Sequence, residues 1–169
     1  MTCEMPDTFT QLYVHVVFAV KGRNNLISSG WKEALYKYIT GIVTNKKQKL
    51  MAINGMPDHI HLLISYRPDC VVSDLVRDIK SSSSKWINQN KYVIGKFGWQ
   101  SGFGAFSVSQ SQVNTVVNYI VNQEKHHAKK SFRDEYIEFL IAYNIDFKTE
   151  YLPEDFGFAP RDNSKKGDS

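Results

Sequence analysis

Apolar and polar residues alternate over residues 9–20: Leu12, Val14, Val16, Phe18 and Val20 share one side, and Gln11, Tyr13, His15 and Val17 the other. A period of two is that of a strand with a face in the core. The period then lengthens. Trp31, Leu35, Tyr38, Ile39, Ile42 and Val43 recur at helical offsets and predict a helix over 31–46, with Ser28 or Ser29 as its N-cap. A short strand over 49–54 follows, and Gly55-Met56-Pro57-Asp58 turns the chain into a second strand from residue 59. So tight a connection favours antiparallel pairing of the two. Val72, Leu75, Val76, Ile79 and Trp86 predict a helix over 71–89, and residues 103–109 read as a fourth strand. Val113, Val116, Val117, Ile120 and Val121 place one helix over 113–127, and a last helix is expected over 132–143. The order β-α-β-β-α-β followed by helices implies an α+β fold of the ferredoxin-like kind, an antiparallel sheet with helices on one face plus C-terminal helices. Residues 1–161 are expected to form one domain, and the polar stretch 162–169 a disordered tail without function.

Two positions on the histidine strand carry candidate chemistry. In Met56-Pro-Asp-His-Ile-His-Leu-Leu-Ile-Ser65, His59 and His61 point to the same face, roughly 6.6 Å apart along the strand. Two imidazoles converging from one strand can hold a divalent metal, while Ile60, Leu62 and Ile64 bury on the opposite face. On the helix expected sixty residues later, Tyr119 and Gln123 are four apart and share a face. A tyrosine is a weak nucleophile at its ordinary pKa of about 10 and needs a metal or base beside the electrophile. A glutamine one turn away can offer a neutral carbonyl oxygen as third metal ligand. Two imidazoles and an amide suit magnesium or manganese taken up with a substrate. Of the nine tyrosines, only Tyr119 and Tyr151 have a His, Asn, Gln, Asp or Glu four residues on, and Tyr151 lies in a Pro- and Gly-containing tail.

His-hydrophobe-His on a strand, followed by a helix with Tyr and Gln at +4, resembles the single-tyrosine HUH transposases of the insertion-sequence-200-like group, to which REP-associated tyrosine transposases are related. The resemblance spans residues 8–145. It includes Phe-Thr-Gln-Leu-Tyr-Val-His-Val-Val-Phe-Ala-Val-Lys-Gly-Arg (9–23), Asn-Gly-Met-Pro-Asp-His-Ile-His-Leu-Leu-Ile (54–64) and Trp-Gln-Ser-Gly-Phe-Gly-Ala-Phe-Ser-Val-Ser (99–109). The resemblance implies a DNA transposase in which His59, His61 and Gln123 hold magnesium or manganese. Tyr119 is then expected to attack a phosphodiester of single-stranded DNA and form a 5′-phosphotyrosine link. It further implies recognition of hairpins at element ends, and a homodimer whose active sites are completed in trans.

Charge agrees with a polyanionic partner. Residues 1–130 hold 16 Lys and Arg against 8 Asp and Glu, whereas residues 131–169 hold 5 against 9. A basic body with an acidic C-terminal segment suits DNA phosphates. Candidate backbone contacts are Lys21 and Arg23 at the end of the first strand, and Arg77, Lys80 and Lys85 on the second helix, where Ser81–Ser84 would permit close approach. Phe97, Trp99 and Phe103 are candidates for stacking on bases. His15 is a further possible participant, and His126 and His127, about 100° apart on a helix, do not join one site easily. Cys3 and Cys70 are too few for a disulfide framework. No apolar run is long enough for a membrane span, and without a signal pattern the chain is expected in the cytoplasm. A two-His phosphoesterase would need a second His-x-Thr/Ser motif, which is missing, and a Rep- or relaxase-like nickase usually brings a third histidine or extra domains. A non-catalytic or domesticated hairpin-binding protein is the remaining alternative.

Overall fold

The computed structural model describes residues 8–23, 25–127 and 130–153, except for the side chains of Arg23, His126 and His127. The expected 162–169 tail lies outside the described residues. Among them are four strands, β1 (Leu12–Ala19), β2 (Lys49–Met56), β3 (His59–Tyr66) and β4 (Gly104–Val108). The sheet order is β2-β3-β1-β4, and every neighbouring pair is antiparallel. Two helices, α1 (Lys32–Asn45) and α2 (Val72–Gln89), cover one face, and the C-terminal helices lie on the other. This is the ferredoxin-like arrangement that the element order implies.

Strand alternation divides the apolar residues between two cores. Val14, Val16 and Phe18 of β1, with Val20 just after it, join Ile60, Leu62 and Ile64 of β3 beneath Leu35, Ile39 and Val43 of α1 and Leu75, Val76, Ile79 and Ile87 of α2. The opposite face carries Val17, Ala19, Leu63, Phe106 and Val108, and the C-terminal helices pack there. A strand buried on both faces cannot slip its register without exposing one set and burying the other. In that register His15 lies opposite Leu63 and Val17 opposite His61, so His15 and His61 are diagonal neighbours.

The β2–β3 turn is held tightly. Val20 N–H donates to the Asp58 carbonyl (2.8 Å) and Ile27 N–H to that of Pro57 (2.9 Å). At Gly55 an added Cβ would fall 2.2 Å from the His59 carbonyl oxygen and 2.8 Å from Ile60 Cα, so only glycine allows the two strands this approach.

Local expectations fail in three places. The N-cap of α1 is Trp31 and no serine side chain caps the helix; the Ser28 carbonyl accepts from Trp31 N and Lys32 N instead. The expected 113–127 helix is two helices, α3 (Val113–Val121) and α4 (Gln123–His127), separated at Asn122 with φ −97° and ψ 23°. Asn54 of β2 donates through Nδ2 to the Val121 carbonyl (3.0 Å), satisfying an acceptor that a continuous helix would use itself. Phe97 and Trp99 are buried in the α1–α2 core, with Trp99 Nε1–H donating to Ser83 Oγ (2.9 Å), so neither is open to stack on a base. The last helix, α5, runs over Phe132–Ala142.

Candidate metal centre and tyrosine site

β3 places His59 and His61 side by side on the C-terminal-helix face, both fully buried. Each ring is held through Nδ1. His59 Nδ1 is 2.6 Å from Asp58 Oδ1, and because a carboxylate only accepts, the proton sits on that nitrogen. His61 Nδ1 is 2.9 Å from His15 Nε2. Burial pushes His15 down to about 4, so it is neutral at pH 7 and can accept the His61 Nδ1 proton. Both rings then present an Nε2 lone pair to one point, the tautomer and orientation a metal ligand requires.

A carboxylate faces that point. Glu135 of α5 is 5% exposed, with Oε1 3.2 Å from His61 Nε2 and Oε2 3.9 Å from His59 Nε2. One ligand atom from each of His59, His61 and Glu135 can be chosen so that all lie within 4.8 Å of one another. Burial, with the nearby charges of Glu138 and Asp58, pushes the Glu135 carboxyl up to about 8. Gln123, at the start of α4, is also fully buried, and its Nε2 lies 3.5 Å from Glu135 Oε1. Its Oε1 is buried without a hydrogen-bond partner among the described residues. Two oriented imidazoles and a carboxylate, with a buried amide next to the carboxylate, fit a divalent metal.

Tyr119, on the last turn of α3, is half-buried, and its ring meets three neighbours edge-on. Ring centroids are 5.8 Å from His61, 6.2 Å from His15 and 5.8 Å from Phe139 of α5. Tyr119 thus reaches the histidines and Gln123 reaches Glu135, from either side of the Asn122 break rather than from one helical face. Glu135 and Asp58 were not among the residues singled out from sequence. Asp58 sits inside the quoted motif, and Glu135 betrays itself only as a carboxylate one turn from Phe132 on the buried side of α5.

The basic candidates have mixed fates. Lys80 is half-buried, and its Nζ donates to the Gln100 (2.7 Å) and Gly102 (2.8 Å) carbonyls, so it fastens the loop before β4. Burial lowers its pKa. Arg77 pairs with Asp74 (3.1 Å) and Asp78 (3.4 Å) on its own helix. Lys85 is exposed and lines a groove of about 690 Å³ between α2 and the 96–103 segment, with Lys96, Ser81, Ser84 and the partly exposed Phe103. Lys21 is exposed in the turn after β1, and the Arg23 side chain lies outside the described residues. No helix among the described residues is long and apolar enough to cross a membrane.

The family model described as transposase, IS200 like, matches residues 8–123. The chain is 24% identical over 118 residues to the ISDra2 transposase TnpA of Deinococcus radiodurans, covering 67% of this chain and 84% of that protein. A solved transposase candidate from the same organism is 25% identical with TM-score 0.54, covering 69% of this chain and 94% of the other. The fold also resembles a REP-associated tyrosine transposase bound to a REP hairpin, with TM-score 0.55 at 16% identity over 92% of this chain and 94% of that one.

Proposed function

This chain belongs to the IS200-like transposase family, and we propose that it cleaves and rejoins single-stranded DNA at hairpin-bearing ends by tyrosine transesterification. The observation that carries the reading is the Tyr119 ring 5.8 Å from that of His61, beside a buried cluster in which His59, His61 and Gln123 lie 3.2–3.9 Å from the Glu135 carboxylate. In this reading His59, His61 and Gln123 hold magnesium or manganese. Such an ion, when bound, would polarise a phosphodiester and stabilise charge building on its oxygens. Tyr119 Oη attacks phosphorus and loses its proton. The bond from phosphorus to the 3′ oxygen breaks, and the leaving oxygen takes up a proton as a free 3′-OH. The 5′ phosphate is left esterified to Tyr119, and attack by a 3′-OH reverses the step without ATP.

DNA hairpins are the favoured substrate class because a protein of the same fold carries one. The groove of Lys85, Lys96 and Phe103 is the surface suited to a single strand, combining cations for phosphates with an aromatic for a base. The reading also includes a homodimer with active sites completed in trans, in which Tyr119 would leave its own chain's His61 for a partner's histidines. The test is a denaturing gel of labelled hairpin oligonucleotides incubated with and without magnesium or manganese. A metal-dependent covalent band, absent in Tyr119→Phe while hairpin binding persists, is the expected result. Hairpin binding with no adduct under either metal would favour a non-catalytic binding protein.

A further inference from the structure

Resting on the reading of His59 and His61 as metal ligands, we infer that Glu135 is an additional donor to the same ion, supplied by α5 from beyond the segment that the family model matches. Three observations carry it. The first is distance. Donors about 2.1 Å from a six-coordinate ion lie roughly 3.0 Å apart when adjacent and roughly 4.2 Å apart when opposite. Glu135 Oε1 lies 3.2 Å from His61 Nε2 and Oε2 3.9 Å from His59 Nε2, at and between those values for a carboxylate that turns both oxygens to the ion.

The second is the direction from which the carboxylate comes. Helix α5 is capped by Ser131, whose Oγ accepts from Asp134 N–H (3.2 Å). Phe132, one turn before Glu135, is buried against the His59 ring, and Phe139, one turn beyond it, contacts His15, His61 and Tyr119. Both flanking aromatics therefore fix the turn that bears the carboxylate over the two Nε2 atoms. The third is charge. A carboxylate on the buried side of a helix is costly unless a cation compensates it, and a divalent ion between two neutral imidazoles does so.

The donor set becomes two imidazoles, an amide oxygen and a carboxylate, with one negative charge that the set of His59, His61 and Gln123 lacks. A stronger resident site follows, and so does a mechanical link. Metal binding ties α5 to β3, so the C-terminal helix is ordered by the ion.

The test uses the full chain stripped with chelator, titrated with Mn²⁺ by calorimetry, with amide hydrogen exchange across Phe132–Ala142 followed in parallel. Glu135→Gln keeps the shape and removes the charge. The variant is expected to bind Mn²⁺ at least tenfold more weakly, about the lower end of what even an outer partner of a metal ligand contributes. Mn²⁺ is expected to slow exchange in α5 of the wild type and not of Glu135→Gln. Equal affinity and equal protection in both proteins would overturn Glu135 as a donor and leave the histidine site standing. An unaltered Mn²⁺ affinity with α5 exchange faster in the variant at every metal concentration would mark a structural ion pair with His61 and would also overturn it. No Mn²⁺ binding by the wild type would remove the metal reading itself, and this inference with it.

Discussion

The ring of Phe132 stacks on that of His59, with centroids 4.1 Å apart and planes inclined by 22°. A C-terminal helix thereby roofs the histidine strand, and the phenylalanine is part of the small core with Val17, Ala19, Phe106 and Leu140. Phe132→Ala is expected to cost about 3–5 kcal/mol, the range for deleting a buried aromatic. Urea unfolding measures it. A cost under about 1 kcal/mol would mean that α5 is only loosely seated on the sheet.

Asp58 holds His59 through a 2.6 Å hydrogen bond, from a turn that Val20 and Ile27 pin by their backbones. Asp58→Asn keeps an acceptor but removes the charge that makes the ring a stronger ligand. Mn²⁺ affinity is expected to fall about 10–100-fold, the usual effect of losing such a partner, with the fold unchanged. Calorimetry on the two proteins decides it, and equal dissociation constants would show that the Asp58 charge does not tune the site.

The sheet and its register were readable because period-two alternation in β1 and β3 has only one way of burying Val14, Val16 and Phe18 together with Ile60, Leu62 and Ile64. His59 and His61 were readable for the same reason. The Asn122 break was not, since the helical apolar pattern of Val113 through Val121 runs into residues 122–127 without a Gly or Pro to stop it, and the break depends on a tertiary bond from Asn54. Glu135 was hidden because a run of Phe, Arg, Asp, Glu and Tyr looks amphipathic whichever side is buried. Which carboxylate turns inward is decided by where Phe132 and Leu140 find a core. The stacking roles expected of Phe97 and Trp99 failed because nothing local separates an exposed aromatic from one that fills the space beneath α2.

His15 gives the metal-free protein a pH signature. Its folded pKa is about 4 against an ordinary 6.5, because burial disfavours the charged ring. The unfolded chain therefore takes up a proton between pH 6.5 and 4 that the fold refuses, and stability falls as pH drops through that window. The full effect is roughly 3 kcal/mol. His61, 2.9 Å away, and Tyr119 are the titratable groups whose rings meet it. His15→Gln keeps an acceptor for His61 and cannot titrate. Urea unfolding at pH 7 and pH 4.5 is expected to show a smaller loss in the variant than in the wild type. Equal losses would assign the acid sensitivity to other groups.

The groove beside α2 makes a prediction that separates side chains that bind from those that build. Lys85 and Lys96 line it from opposite walls and both are exposed, whereas Lys80 in the same groove is spent on the Gln100 and Gly102 carbonyls. Each phosphate contact with a single strand contributes about 0.7 to the slope of log affinity against log salt. Lys85→Ala and Lys96→Ala are each expected to lower that slope by about this amount and to leave the unfolding free energy nearly unchanged. Phe103→Ala is expected to weaken binding by about 1–3 kcal/mol with the slope intact, as the loss of a stacking partner does. Lys80→Ala should instead lower stability, because two loop carbonyls lose a charged donor. Fluorescence anisotropy of a labelled single strand at several salt concentrations reads the first two effects apart. If Lys85→Ala and Lys96→Ala leave both slope and affinity untouched, the DNA lies on another face of the molecule.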